Sequence, residues 1–140
     1  GERVIILAFT IPGEPVAKGR PRMTRQGRTY TPQKTVNYET LIQECFAIAY
    51  PDHQPITGPL GLKIDAHFTI PASWSQKKQM AAQNYQIMPT KRPDVDNVIK
   101  CVADGLNGIA WRDDSQIVSV LANKFYSTRP RVEIEITEVE

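Results

Sequence analysis

Apolar positions recur along the chain in two rhythms. Over residues 62–70 they alternate strictly, with Leu62, Ile64, Ala66, Phe68 and Ile70 separated by Lys63, Asp65, His67 and Thr69. A period of two belongs to a strand with one buried and one polar face. Residues 131–139 repeat it, setting Val132, Ile134 and Ile136 against Glu133 and Glu135. Residues 3–11 read as a strongly apolar strand, and residues 117–126 carry apolar side chains on both alternating sets, the pattern of a strand buried on both faces. A period near 3.6 takes over in two places. It gives a helix over 36–50 with Leu41, Ile42, Cys45, Phe46 and Ala49 as its stripe, and another over 94–106 with Val95, Val98, Ile99, Val102 and Leu106. The stretch "SWSQKKQMAAQNYQ" predicts a short helix capped by Ser73 or Ser75 and stopped before Pro89, and Asn107-Gly108 predicts a left-handed end to the second long helix.

The resulting order is strand, helix, strand, short helix, helix, strand, strand. It predicts an α+β fold, one domain over residues 1–140, with a mixed sheet packed by helices. There is no internal repeat and no low-complexity tract. At 140 residues, 41% hydrophobic and 23% charged, the chain is large enough for one real core and too small for two. No run approaches the ~20 apolar residues of a membrane span. The opening "GERVIILAFT" leads into turn residues instead of a signal cleavage site, so a cytoplasmic protein with no membrane partner is expected. Cys45 and Cys101 fall in apolar periodic segments without metal-binding spacing, and are expected to be buried, reduced thiols.

A net charge of +2, from 17 basic and 15 acidic residues, implies no polyanionic partner by itself. Its distribution changes the picture. The segment "PGEPVAKGRPRMTRQGRTYTPQK" holds Lys18, Arg20, Arg22, Arg25, Arg28 and Lys34 against Glu14 alone. Pro15, Pro21 and Pro32, with Gly13, Gly19 and Gly27, exclude a helix and argue against a central strand. A long basic loop in a small domain suits contact with phosphates, although a solvated face would also carry such charge. Tyr30 stands among these cations, where it is suited to stacking on a base or to packing.

The acidic counterpart is "KRPDVDNVIK" followed by "WRDDSQ". On a helix, Asp96, Lys100 and Asp104 share one polar face at i, i+4, i+8, which makes Asp96 and Lys100 neighbours. Asp94 joins Asp96 on one ligand only if it sits at or before the cap, since two residues of regular helix turn ~200°. Carboxylates ~4 Å apart repel by about 4 kcal/mol at an effective dielectric of 20, so a cluster of them calls for a cation. Lys100 is one candidate, and Mg²⁺, which takes one or two carboxylates and fills its other sites with water or phosphate, is another. With the basic loop this is an inventory for metal-assisted phosphodiester hydrolysis. The plainer alternative is that Asp94 caps the helix, Asp96 pairs with Lys100, and "DDS" is a turn.

At these residues the sequence resembles the RusA-type Holliday junction resolvases, especially their phage-like branch. "RPDVDNVIKCVADGLNG" with "AWRDDSQIV" is similar to the family's central signature, and "IPGEPVAKGRPRMTRQGRTYTPQKT" to its N-terminal basic segment. The resemblance covers most of the chain. It implies a small, homodimeric, Mg²⁺-dependent endonuclease of mixed α/β construction that makes paired nicks in four-way DNA junctions during recombination and repair. Carried onto matching positions, it implies Asp94, Asp96 and Asp114 as catalytic acids at the metal and Lys100 as the motif lysine, with Asp113 the less certain of its pair. Lys18, Arg20, Arg22, Arg25 and Arg28 become the DNA-binding residues. The stretch "PASWSQKKQMAAQNYQIMPTK" stands as an insert against the shortest members. A catalytically inactive DNA-binding accessory and a nuclease of flaps or single strands are the competing readings. His67 and His53 are expected to be structural, Trp111 a core residue, and Asp104 an ordinary member of an exposed helix face.

Overall fold

The structure, a computed structural model, describes residues 3–19 and 21–139. Four long strands build one mixed sheet: β1 (Arg3–Pro12), β4 (Leu60–Thr69), β5 (Ile117–Ser127) and β6 (Arg131–Val139). Their spatial order is β1-β6-β4-β5, with β6 antiparallel to both neighbours and β4 parallel to β5. A parallel pair needs a long crossover. Here it carries α2 (Gln76–Gln83) and α3 (Val95–Leu106), while α1 (Gln33–Ala49) lies between the first and second long strands in sequence. The expected α+β fold with a mixed sheet is what forms.

The strict alternation in β4 and β6 fixes which face is buried. Ile64 lies opposite Ile134 on one side and Ala122 on the other, and Leu62 lies opposite Ile136. These side chains, with Leu7, Phe9 and Ile11 of β1, meet Tyr38, Ile42 and Phe46 of α1 and Val98, Val102 and Leu106 of α3 in one core. Phe9 and Phe46 pack edge to face with ring centroids 5.4 Å apart. The two long helices approach closely at Gly105, where an added Cβ would lie 3.2 Å from Ile42 Cδ1. On the free edge of β1 one residue is satisfied by a side chain: the Tyr50 hydroxyl accepts from the Ala8 N–H at 2.8 Å and donates to its carbonyl at 2.9 Å.

Several expectations are corrected. Strand β5 is an edge strand paired only with β4, so Val118, Val120 and Leu121 are 60%, 42% and 57% exposed and its two-sided apolar pattern does not mean two-sided burial. Helix α1 starts at Gln33 directly after Pro32, ahead of the first stripe residue, because polar residues fill its first turn. Helix α2, by contrast, forms as expected: Ser75, one of the two candidate caps, accepts at Oγ from Lys78 N–H at 3.2 Å, and the helix ends at Gln83, before Pro89. The basic segment is not wholly irregular: β2 (Arg22–Met23) and β3 (Thr29–Tyr30) pair as a small separate hairpin. Its tip is closed by Thr24 and Arg28 and by Gly27 at φ +80°, a value glycine adopts without strain.

Candidate active site

Helix α3 begins where the sequence asks for it. Asp94 is the cap residue, in extended backbone with φ −69° and ψ 147°, and its carbonyl takes the N–H groups of Asn97 and Val98. Its carboxylate forms no capping hydrogen bond and is exposed. Asp96, in the first turn, is exposed as well. The two carboxylates therefore stand at the positive end of a helix dipole, with their oxygens uncommitted among the described residues. Lys100 is exposed one turn further along, and the ion pair between Asp96 and Lys100 that the plainer alternative calls for is not formed among the described residues. The lysine remains available to a ligand.

Asp114 arrives by a different route. After α3, Asn107 is extended and Gly108 takes φ +78°, so the left-handed residue lies one position past the cap. The chain then buries Trp111 completely and enters a single 3-10 turn, Asp114–Gln116. Asp113 caps that turn: its carboxylate accepts from Ser115 N–H at 3.0 Å, and its own N–H donates to Gln116 Oε1 at 2.8 Å. Hydrogen bonds from Ser115, its side chain first and its backbone N–H second, hold the Asp113 carboxyl below the usual range, and the capping bonds give this residue a structural task. Gln116 Nε2 also donates to the carbonyls of Ile56 at 2.7 Å and Gly58 at 3.0 Å, which locks the turn to the entrance of β4. Gln116 was not singled out from sequence; the S/T/D-x-x-E/Q capping pattern in "DDSQ" was the available signal.

Asp114 Oδ1 accepts from the Trp111 indole Nε1 at 2.8 Å. Burial raises the Asp114 carboxyl, the indole hydrogen bond opposes that, and the charges of Asp104 and Asp113 add to the rise. The acid whose field reaches Asp114 most strongly is therefore Asp104, two helical turns beyond Asp96 or about 12 Å along the axis. Among the described residues no group of three His, Cys, Asp or Glu side chains lies close enough to hold an ion. Asp94, Asp96 and Asp114 thus do not converge into a three-carboxylate cage within the chain.

The basic segment runs alongside. Arg22, Arg25 and Arg28 are exposed on the hairpin, and Arg20 lies outside the described residues. A hollow of about 390 Å³ is lined by Ala17, Lys18, Gly19, Arg92, Pro93, Asp94 and Asn97, so the start of α3 and the root of the arm share one concavity. A second hollow of about 430 Å³, which shares Ala17, Gly19 and Pro93 with the first, includes Arg22 and Lys34. Lys18 itself turns inward. Its Nζ is 2.8 Å from Glu39 Oε1 on α1 and 3.1 Å from Asp104 Oδ2 on α3. Asp104 is consequently more than a member of an exposed helix face.

The remaining residues behave structurally. His67, expected on the polar face in a solvated or hydrogen-bonded role, is instead buried, its ring tilted against Phe125 with centroids 5.3 Å apart and its Nε2 3.9 Å from Glu133; burial, then Arg131, depresses its pKa. His53 Nε2 lies 2.9 Å from the Ala110 carbonyl, beneath the edge of Phe46. In the insert, Lys78 sits over the Trp74 ring at 3.9 Å, and Tyr85 packs on Phe125. Cys101 is buried and Cys45 half-buried, both free. No helix among the described residues is long and apolar enough to cross a membrane.

Comparison with known proteins matches residues 12–137 to the family of endodeoxyribonuclease RusA. YqaN of Bacillus subtilis (strain 168), an uncharacterized protein, is 40% identical over 141 residues, covering 95% of this chain and 96% of its own length. A crossover junction endodeoxyribonuclease RusA of Lactococcus phage r1t is 47% identical over 51 residues, 36% of this chain and 39% of its own.

Proposed function

The chain belongs to the RusA endodeoxyribonuclease family, and from that premise we propose that it is a Mg²⁺-dependent nuclease which resolves four-way DNA junctions as a homodimer. Its setting on this reading is the cytoplasm, in recombination and repair. The observation that carries the proposal is the pair of free, exposed carboxylates of Asp94 and Asp96 at the start of α3, one of them in a hollow shared with the basic arm.

The donor set fits a hard divalent ion in a particular way. Two carboxylates at a helix start, without a third close enough among the described residues, suit Mg²⁺, whose remaining sites would be taken by water and a DNA phosphate. Such an ion, when bound, lowers the pKa of water and stabilises charge on the phosphoryl oxygens. The chain's own residues do the rest. Asp94 and Asp96 bind and orient, their negative charge kept apart from internal cations. Lys100, one turn beyond Asp96 and unpaired among the described residues, is suited to stabilising negative charge that develops on the phosphate. Asp114, fixed by Trp111 and partly desolvated, acts as the third acid when DNA brings the groups into register. Arg20, Arg22, Arg25 and Arg28 neutralise backbone phosphates and so position the duplex arms without reading sequence. A twofold dimer matches the two equivalent strands of a junction, with one acidic site for each.

The test separates binding from chemistry. A four-way junction, a matched duplex and a flap are supplied with Mg²⁺ to wild type, Asp94→Asn, Asp96→Asn and Lys100→Ala, and nicking and affinity are read separately. Wild type nicks the junction in paired fashion, and both aspartate variants lose nicking by at least two orders of magnitude while retaining junction affinity. Binding of junctions without cutting any substrate across several divalent ions overturns the enzyme in favour of an accessory. Equal cutting of all three substrates keeps the nuclease and removes its junction specificity.

A further inference from the structure

Lys18 occupies an odd position for a member of a basic arm. Its ammonium is half-buried and lies between two carboxylates from different helices, Glu39 at 2.8 Å and Asp104 at 3.1 Å. Burial alone would lower its pKa, but the hydrogen bonds and charges of Glu39 and Asp104 outweigh this and leave it raised. The backbone around it is tied as firmly. Lys18 N–H donates to the Asn97 carbonyl in the first turn of α3 at 3.0 Å, and Gly19 N–H donates to the buried Thr35 Oγ1 on α1 at 3.0 Å. Gly19 has no room for a side chain, since a Cβ would lie 2.9 Å from Pro32 Cγ and 3.1 Å from Thr35 Oγ1. The arm thus leaves the domain through a slot between α1 and α3, and the ammonium bolts both walls together.

Resting on the nuclease reading above, we propose that Lys18 is a positioning residue which, clamped by Glu39 and Asp104, fixes the root of the basic arm beside the acidic start of α3 and does not itself contact phosphate. The geometry gives the reason. Lysine offers three donors, and two of them already point at carboxylates that would otherwise face each other unpaired. Drawing the ammonium out to a phosphate would leave Glu39 and Asp104, each less than one third exposed, without their cation. Arg22, Arg25 and Arg28 face solvent instead, and they carry the phosphate contacts. Their usefulness depends on where the root is held, because a displacement of ~1 Å in groups that position a reacting bond costs of order 10²-fold in rate.

The experiment exploits opposite charges that should behave alike. Lys18→Met, Asp104→Asn, the double variant and Lys18→Arg are compared with wild type in three readouts: trypsin nicking after Arg25 and Arg28 without DNA, junction cleavage, and the salt dependence of junction affinity. Lys18→Met and Asp104→Asn each speed nicking of the arm several-fold and slow cleavage about tenfold or more; the double variant is no worse than either, and Lys18→Arg recovers much of both losses. The salt slope stays at the wild-type value in all of them. A slope reduced by ~0.9 in Lys18→Met, with tighter binding in Asp104→Asn, identifies a phosphate contact and overturns the proposal. Unchanged nicking in both single variants overturns it equally. A wild type that cuts no DNA removes the nuclease reading but not this test, because arm nicking is read without DNA.

Discussion

Trp111 Nε1 and Asp114 Oδ1 are joined by a 2.8 Å hydrogen bond between a fully buried indole and a half-buried carboxylate. The bond gives a core residue a direct hold on the proposed third acid, so packing and chemistry are coupled at one point. Hydrogen bonds to charged groups contribute about 1.5–3 kcal/mol. Trp111→Phe keeps most of the apolar volume and removes the donor. It should lower the free energy of unfolding by about 2–4 kcal/mol, because a void adds to the lost bond, and should reduce cleavage more than junction affinity. Urea denaturation and single-turnover cleavage check the two halves. Full activity in a stably folded Trp111→Phe would mean that Asp114 needs no such hold.

How far the sequence anticipated this arrangement depends on the range of the interactions involved. Strict alternation in β4 and β6 and most of the stripe on α3 were legible because burial imposes a period on neighbouring residues, although Val95, in the first turn of α3, is 39% exposed and Cys101 is buried in the stripe. The position of Asp94 as cap residue was legible for the same local reason. The edge location of β5 was not, since its Val118, Val120 and Leu121 follow no rule that distinguishes an exposed edge from a buried centre. Nor was the fate of Lys18: its two carboxylate partners are 21 and 86 residues away, and only the packing of α1 against α3 brings them to one point. Long-range electrostatics therefore escaped a reading that composition and period served well.

The same helix pair predicts an alkaline weakness. Burial pushes the Cys101 thiol up to about 12, with Glu39 and Asp104 adding to the rise and Lys18 opposing it. A thiol raised from its ordinary 9.0 favours the neutral form in the folded state, so its contribution is complete below pH 9 and is lost as pH climbs toward 12. Tyr38, whose hydroxyl is also raised by burial, acts in the same direction at the upper end of the window. Stability measured by urea unfolding should fall by on the order of 2 kcal/mol between pH 9 and 11. Cys101→Ala should be less stable throughout and flatter across this window. An equal slope in the variant would assign the alkaline loss elsewhere.

The arm offers the cleanest electrostatic prediction, because its exposed side chains divide into cations and an aromatic. Arg22, Arg25 and Arg28 are exposed on a hairpin whose tip is closed by bonds among Thr24, Gly27 and Arg28. Tyr30, in the second strand of that hairpin, is 48% exposed. Each phosphate neutralised releases counterion, so each lost contact should reduce the slope of log affinity against log salt by ~0.9 on duplex arms. Replacing all three arginines by alanine should therefore flatten the slope by about 2.7 and weaken binding most at low salt. Tyr30→Ala should act differently: a lost base stack costs about 1–3 kcal/mol at every salt concentration and leaves the slope as it was. Fluorescence anisotropy over a salt series distinguishes the two effects on one junction. An unchanged slope in the triple variant would remove the arm from the DNA interface, and a slope change in Tyr30→Ala would mean that the hairpin's order, and with it the arginines, depends on that ring.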